Sequence, residues 1–81
     1  MKINIESTSK VIHFVIDGVS VPARIWEGTT ERGTPVVCFV TRISPTIPNP
    51  PADIQKEFER DLKETRVPSA FVRAYPLSLI L

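Results

Sequence analysis

The sequence predicts an α+β fold: a small antiparallel sheet in the order β-β-β-α-β, with one helix packed on one face and the sheet free to curl into a partial barrel. Three observations predict it. "VIHFVI" and "VSVPARIWEG" are β-rich runs separated by Asp17-Gly18. Asp-Gly is a two-residue hairpin signal, because a type I′ turn needs positive φ at both central positions. A second turn, "TERGT", leads into "PVVCFVTRI". Beyond a proline-rich connector, "PPADIQKEFERDLKET" has helical periodicity. A chain of 81 residues makes one domain, spanning 1–81.

The first hairpin runs from Val11 to Ile16 and from Val19 to Glu27. A two-residue loop sets the register, so Ile16 faces Val19, Phe14 faces Val21 and Ile12 faces Ala23. Ile12, Phe14, Ile16, Val19, Val21, Ala23 and Ile25 then share a first face, and Val11, His13, Val15, Ser20, Pro22, Arg24 and Trp26 share the second. Pro22 has no ladder donor, so a bulge or pairing gap is expected there. "KINI" is an optional additional first strand.

In the second turn Glu31-Arg32 suits a type I turn, with Gly33 in the left-handed position of a G1 bulge. Thr30 then faces Thr34, Ile25 faces Phe39, and Trp26 faces Cys38. Val37, Phe39 and Ile43 join the first face; Val36, Cys38, Val40 and Arg42 join the second. All three glycines, Gly18, Gly28 and Gly33, fall near expected turns.

"SPTIPNPP", with four prolines in eight residues, is a stiff connector. Asn49 as N-cap and Pro50 at the first helical position start a helix that runs to about Thr65. Ile54, Phe58 and Leu62 form its narrow apolar stripe, flanked by an acidic ridge (Asp53, Glu57, Asp61, Glu64) and a basic one (Lys56, Arg60, Lys63). "RVPSA" breaks the helix, and "FVRAYPLSLIL" reads as a last strand interrupted near Pro76. The expected core is Phe14, Ile16, Val21, Ile25, Phe39, Phe58, Leu62 and Leu79.

A three-residue stripe covers one sheet face, not two. The second face, with Val11, Val15, Trp26, Val36, Cys38 and Val40, has no obvious cover. Three arrangements would supply one: the sheet curls into a small barrel, the chain forms a homodimer through that face, or the face receives another protein.

The chemistry that the residues exclude is broader than the chemistry they offer. A net charge of +1 attracts neither nucleic acid nor membrane strongly. One cysteine excludes an intramolecular disulfide framework and a multi-cysteine zinc site. "MKINIESTSK" lacks the apolar core of a signal peptide, and no apolar run reaches ~18 residues. A reduced, cytoplasmic setting is therefore expected. His13 and Cys38, the sole histidine and cysteine, lie two strands and four residues apart, about 16 Å, whereas a nucleophile and its base need about 3 Å. Asp53, Glu57 and Asp61 sit among lysines and arginines on a solvated helix face. There is no phosphate-loop pattern. No enzyme, cofactor or metal is expected.

What remains is binding. Arg24, Trp26 and Arg42 are residue types that dominate protein interfaces. With Val36, Cys38 and Val40 they make the candidate partner-binding face. The alternative is a small-barrel binder of single-stranded nucleic acid or a nucleotide, with Trp26 as stacking platform between arginines.

The segments "DGVSVPARIWEG", "CFVTRIS" and "EFERDLKETRVPSA" resemble small phage and prophage accessory proteins. The resemblance implies non-enzymatic inhibition of a host complex in the host cytoplasm, of the anti-CRISPR or wider anti-defence type. It carries over no residue roles.

Overall fold

A computed structural model describes residues 1–80. Strand β1 spans Ile3–Ile16, β2 Val19–Thr30 and β3 Pro35–Val40. Helix α1 (Ala52–Lys63), a four-residue helix α2 (Ala70–Arg73) and a short β4 (Ser78–Ile80) follow. The sheet order is β3-β2-β1-β4. β1, β2 and β3 form the antiparallel meander, but β4 runs parallel to β1, so the sheet is mixed. It curls into a half-barrel.

Both hairpin registers are those the turns dictate. Asp17 and Gly18 have φ of 50° and 79°, and Ile16 faces Val19. Gly33 has φ of 84°; Ile25 faces Phe39 and Trp26 faces Cys38. "KINI" is no separate strand but the start of β1.

The expected irregularity at Pro22 is absent. Pro22 pairs with His13 in unbroken register. Counting out from the Ile16–Val19 pair, His13–Pro22 is a pair that exchanges no ladder bonds. The Pro22 nitrogen therefore points away from β1, past the end of β3, and no donor is lost; the His13 amide points the other way and donates to the Leu77 carbonyl at 2.9 Å. The register shift lies instead between Ser7 and Val11. Bulges bend and twist a strand, and this one lets a fourteen-residue β1 wrap rather than run flat.

The core forms on the first face as expected, but under a different cover. Ile12, Ala23, Ile25 and Val72 are its fully buried apolar residues, with Phe14, Val37, Tyr75 and Leu79 packed against them. The cover is therefore the 67–79 segment, not α1. Ser69 caps α2, its Oγ accepting from the Val72 amide at 3.3 Å. The segment reads as strand from Phe71 only in part: α2 and a turn precede the three residues of β4.

Helix α1 buries no residue. Ile54 and Leu62 are exposed and Phe58 is half-buried, so the expected packing across the first face does not occur. The helix starts later than expected: Pro51 precedes it, no side chain caps it, and Asn49 takes a left-handed φ of 50°. Two prolines in succession hold this entry extended. Of the other expected core residues, Ile16 is exposed at the hairpin tip and Phe39 lies at the margin of the core, edge-on to Phe14 (5.4 Å) and Tyr75 (5.7 Å).

Gly28 is not at a turn but inside β2, opposite Ile5. A Cβ built there would overlap the Asn4 carbonyl, so only glycine lets β1 approach this closely.

So open an arrangement leaves much surface. The radius of gyration is 14.5 Å, against about 12 Å for a compact domain of this length. The accessible area is 6254 Å², against about 4,900 Å² for a monomer of this mass.

Candidate functional site

The second sheet face contains a groove of about 320 Å³. Val11, Arg24, Trp26 and Val40 line it from the strands, Arg42 and Ile43 from the chain beyond β3, and Leu62 from α1. The alternation of β2 places Arg24 and Trp26 on this face, and pairing with β3 sets Val40 and Cys38 beside them. Thus the structure brings together Arg24, Trp26, Val40 and Arg42 of the sequence-derived face. Cys38 and Val36 lie further along the same side of β3 and are half-buried.

The two arginines play different parts. Arg24 Nη1 donates to the Thr8 carbonyl at 2.8 Å, holding the β1 bulge. Thr8 itself is fully buried, its hydroxyl donating to the Ile25 carbonyl at 2.6 Å. Arg42 is exposed, and among the described residues neither arginine has a carboxylate partner. All other groove-lining residues are uncharged.

Trp26 also lines a second groove, of about 420 Å³, with Glu6, Ser7, Asp61, Glu64, Thr65 and Arg66. The indole is the wall that the two grooves share. One side carries Arg24 and Arg42; the other carries three carboxylates against one guanidinium. The second groove is fixed by the bulge: Ser7 Oγ donates to the Glu64 carbonyl at 2.9 Å, the Arg66 amide to the Ser7 carbonyl at 3.0 Å, and the Ser9 amide to the Arg66 carbonyl at 3.1 Å.

Sequence reasoning missed three features. The acidic groove depends on α1 ending beside the bulge, a long-range placement with no local signature. Glu27 is a buried carboxylate that binds the Ser69 amide and Arg66; strand alternation put it on the core face, and that was the available signal. Finally, Val67, Phe71, Leu77 and Ile80 stand 68–84% exposed along the C-terminal segment. Phe71, Leu77 and Ile80 suited an interior strand and Val67 fell in the link that breaks the helix, so none of them marked an exposed surface.

His13 and Cys38 keep the separation the register implied, with β2 between them. His13 Nδ1 is 3.3 Å from Ser20 Oγ, but the pair is exposed on the sheet surface and, among the described residues, no third group orients it. No helix among the described residues is long and apolar enough to cross a membrane.

No protein-family model, curated protein or solved structure matches the chain.

Proposed function

We propose that this chain is a non-enzymatic protein-interaction module whose contact surface is the Trp26 face. The observation that carries the reading is the excess of exposed area over a compact monomer, more than a thousand square ångströms. That excess exceeds the ~800 Å² each partner gives to a standard interface. The Trp26 face is concave and combines an aromatic anchor, aliphatic walls and arginine donors, the combination that concentrates binding energy. The C-terminal apolar residues also contribute exposed area, but the groove beside Phe71 is lined by Ala74, Tyr75 and Pro76 and carries no charged residue. In line with the resemblance to phage accessory proteins, the partner is a component of a host complex and the effect is inhibition by occupancy.

The nucleic-acid alternative draws on the same Arg24, Trp26 and Arg42. It is the weaker reading because the groove beyond the indole is acidic and repels a phosphate backbone crossing Trp26.

The test is capture from host lysate by the wild-type chain, Val40→Lys and Phe71→Asp, with circular dichroism confirming each fold. The reading expects a stoichiometric partner that Val40→Lys loses and Phe71→Asp retains. The reverse pattern would move the contact surface to the C-terminal segment. Loss of signal to a single-stranded oligonucleotide competitor would favour nucleic acid.

A further inference from the structure

We infer that the unengaged Trp26 face is closed by a second copy of this chain, docked about a two-fold axis at Trp26. The inference rests on the reading of this face as a contact surface and names what occupies it first. In a two-fold interface the same patch meets itself, so the patch must be self-complementary. This one is. Arg24 and Arg42 lie on one side of the indole, and Glu6, Asp61 and Glu64 on the other; Arg66 pairs with Glu6 and Arg60 with Asp61, which leaves Glu64 as the carboxylate without an ion pair among the described residues and the two sides opposite in sign. A two-fold rotation at Trp26 lays the basic groove of each copy against the acidic groove of its partner, twice.

Like charges would be apposed in a parallel arrangement of the same faces, so the charge pattern selects one orientation. The apolar surface supplies the affinity: Trp26, Val40, Ile43 and Leu62 surround the axis and are half-buried or exposed in the single chain. The whole chain exposes more than a compact monomer of its mass by an area larger than one side of a standard dimer interface, and the Trp26 face is one part of that surface. A host partner of the proposed kind must then compete with the second copy, so engagement depends on protein concentration.

The test is a charge swap read by sedimentation equilibrium. Arg42 and Glu64 are both exposed, so Arg42→Glu and Glu64→Lys leave the fold intact. Each substitution acts at two symmetric contacts. Each alone is expected to raise the dimer dissociation constant about a hundredfold, about tenfold per contact. Mixing the two variants, or combining them in one chain, restores association, because the swapped charges again meet opposites. Overturning results are a wild-type monomer at high concentration, a dimer indifferent to both substitutions, or variants whose defects do not cancel. A monomer would leave the interaction-module reading standing with an open face. A dimer that Phe71→Asp dissociates would assign self-association to the C-terminal segment.

Discussion

Glu27 Oε2 accepts a 2.8 Å hydrogen bond from the backbone amide of Ser69, forty-two residues away. This contact ties the middle of β2 to the residue that caps α2, and so holds the cover segment on the core. Oε1 lies 3.4 Å from Arg66, whose backbone pairs with the β1 bulge. One carboxylate thus joins the sheet, the bulge and the C-terminal segment. Removing its charge leaves a buried amide and a guanidinium less well paired. Glu27→Gln is expected to destabilise the fold by about 1–3 kcal/mol in urea unfolding. It should not alter the hairpin registers, which the turns set.

The same carboxylate makes stability pH-dependent. Burial pushes its pKa up, but the Ser69 backbone hydrogen bond and Arg66 outweigh burial and hold it below the ordinary carboxylate value. A group whose folded pKa is lower than its unfolded one stabilises the fold above the unfolded value, ~4.3. That contribution is withdrawn as pH falls through the lower, folded value. Thermal melts from neutral to acid pH should show Tm falling below about pH 4, with a shallower fall in Glu27→Gln.

Gly28 tests the closeness of β1 to β2. Gly28→Ala must push the Asn4 carbonyl aside, at an expected cost of about 1–3 kcal/mol. Amide exchange should quicken first in residues 3–6, which pair with 27–30.

The two helices should differ sharply. Val72 is fully buried and α1 buries nothing. Val72→Ala is expected to cost about 2 kcal/mol, whereas Ile54→Ala should stay within about 0.5 kcal/mol. A large loss at Ile54 would show that α1 packs on the core after all.

What was legible in the sequence was what local chemistry determines. Asp17-Gly18 and Gly33 dictate turns with defined φ, and a turn of known length fixes the pairs out to the first bulge, here from Ile16–Val19 to Val11–Arg24. The first face, which carries Ile12, Ala23 and Ile25, followed from that alone, and Ile25 was expected in the core; that Ile12 and Ala23 are buried while Ile16 is exposed depends on where the cover segment lies. The periodicity of Ile54, Phe58 and Leu62 located a helix but could not say which surface it meets. A better cover existed in "PSAFVRAY", where Ser69 is a readable N-cap, yet α2 is too short to show a period. Likewise Arg24, Trp26, Val40 and Arg42 could be placed on one face by alternation. Asp61 and Glu64 could not, because their position depends on how the bulge at Ser7 to Val11 binds the end of α1.

The most direct measurement is solution mass by light scattering over a concentration series, with Trp26 fluorescence and acrylamide quenching on the same samples. The account predicts a dimer at high concentration, with Trp26 emission shifting to the blue and becoming protected as the dimer forms. A monomer throughout, with Trp26 equally quenchable at every concentration, would contradict it.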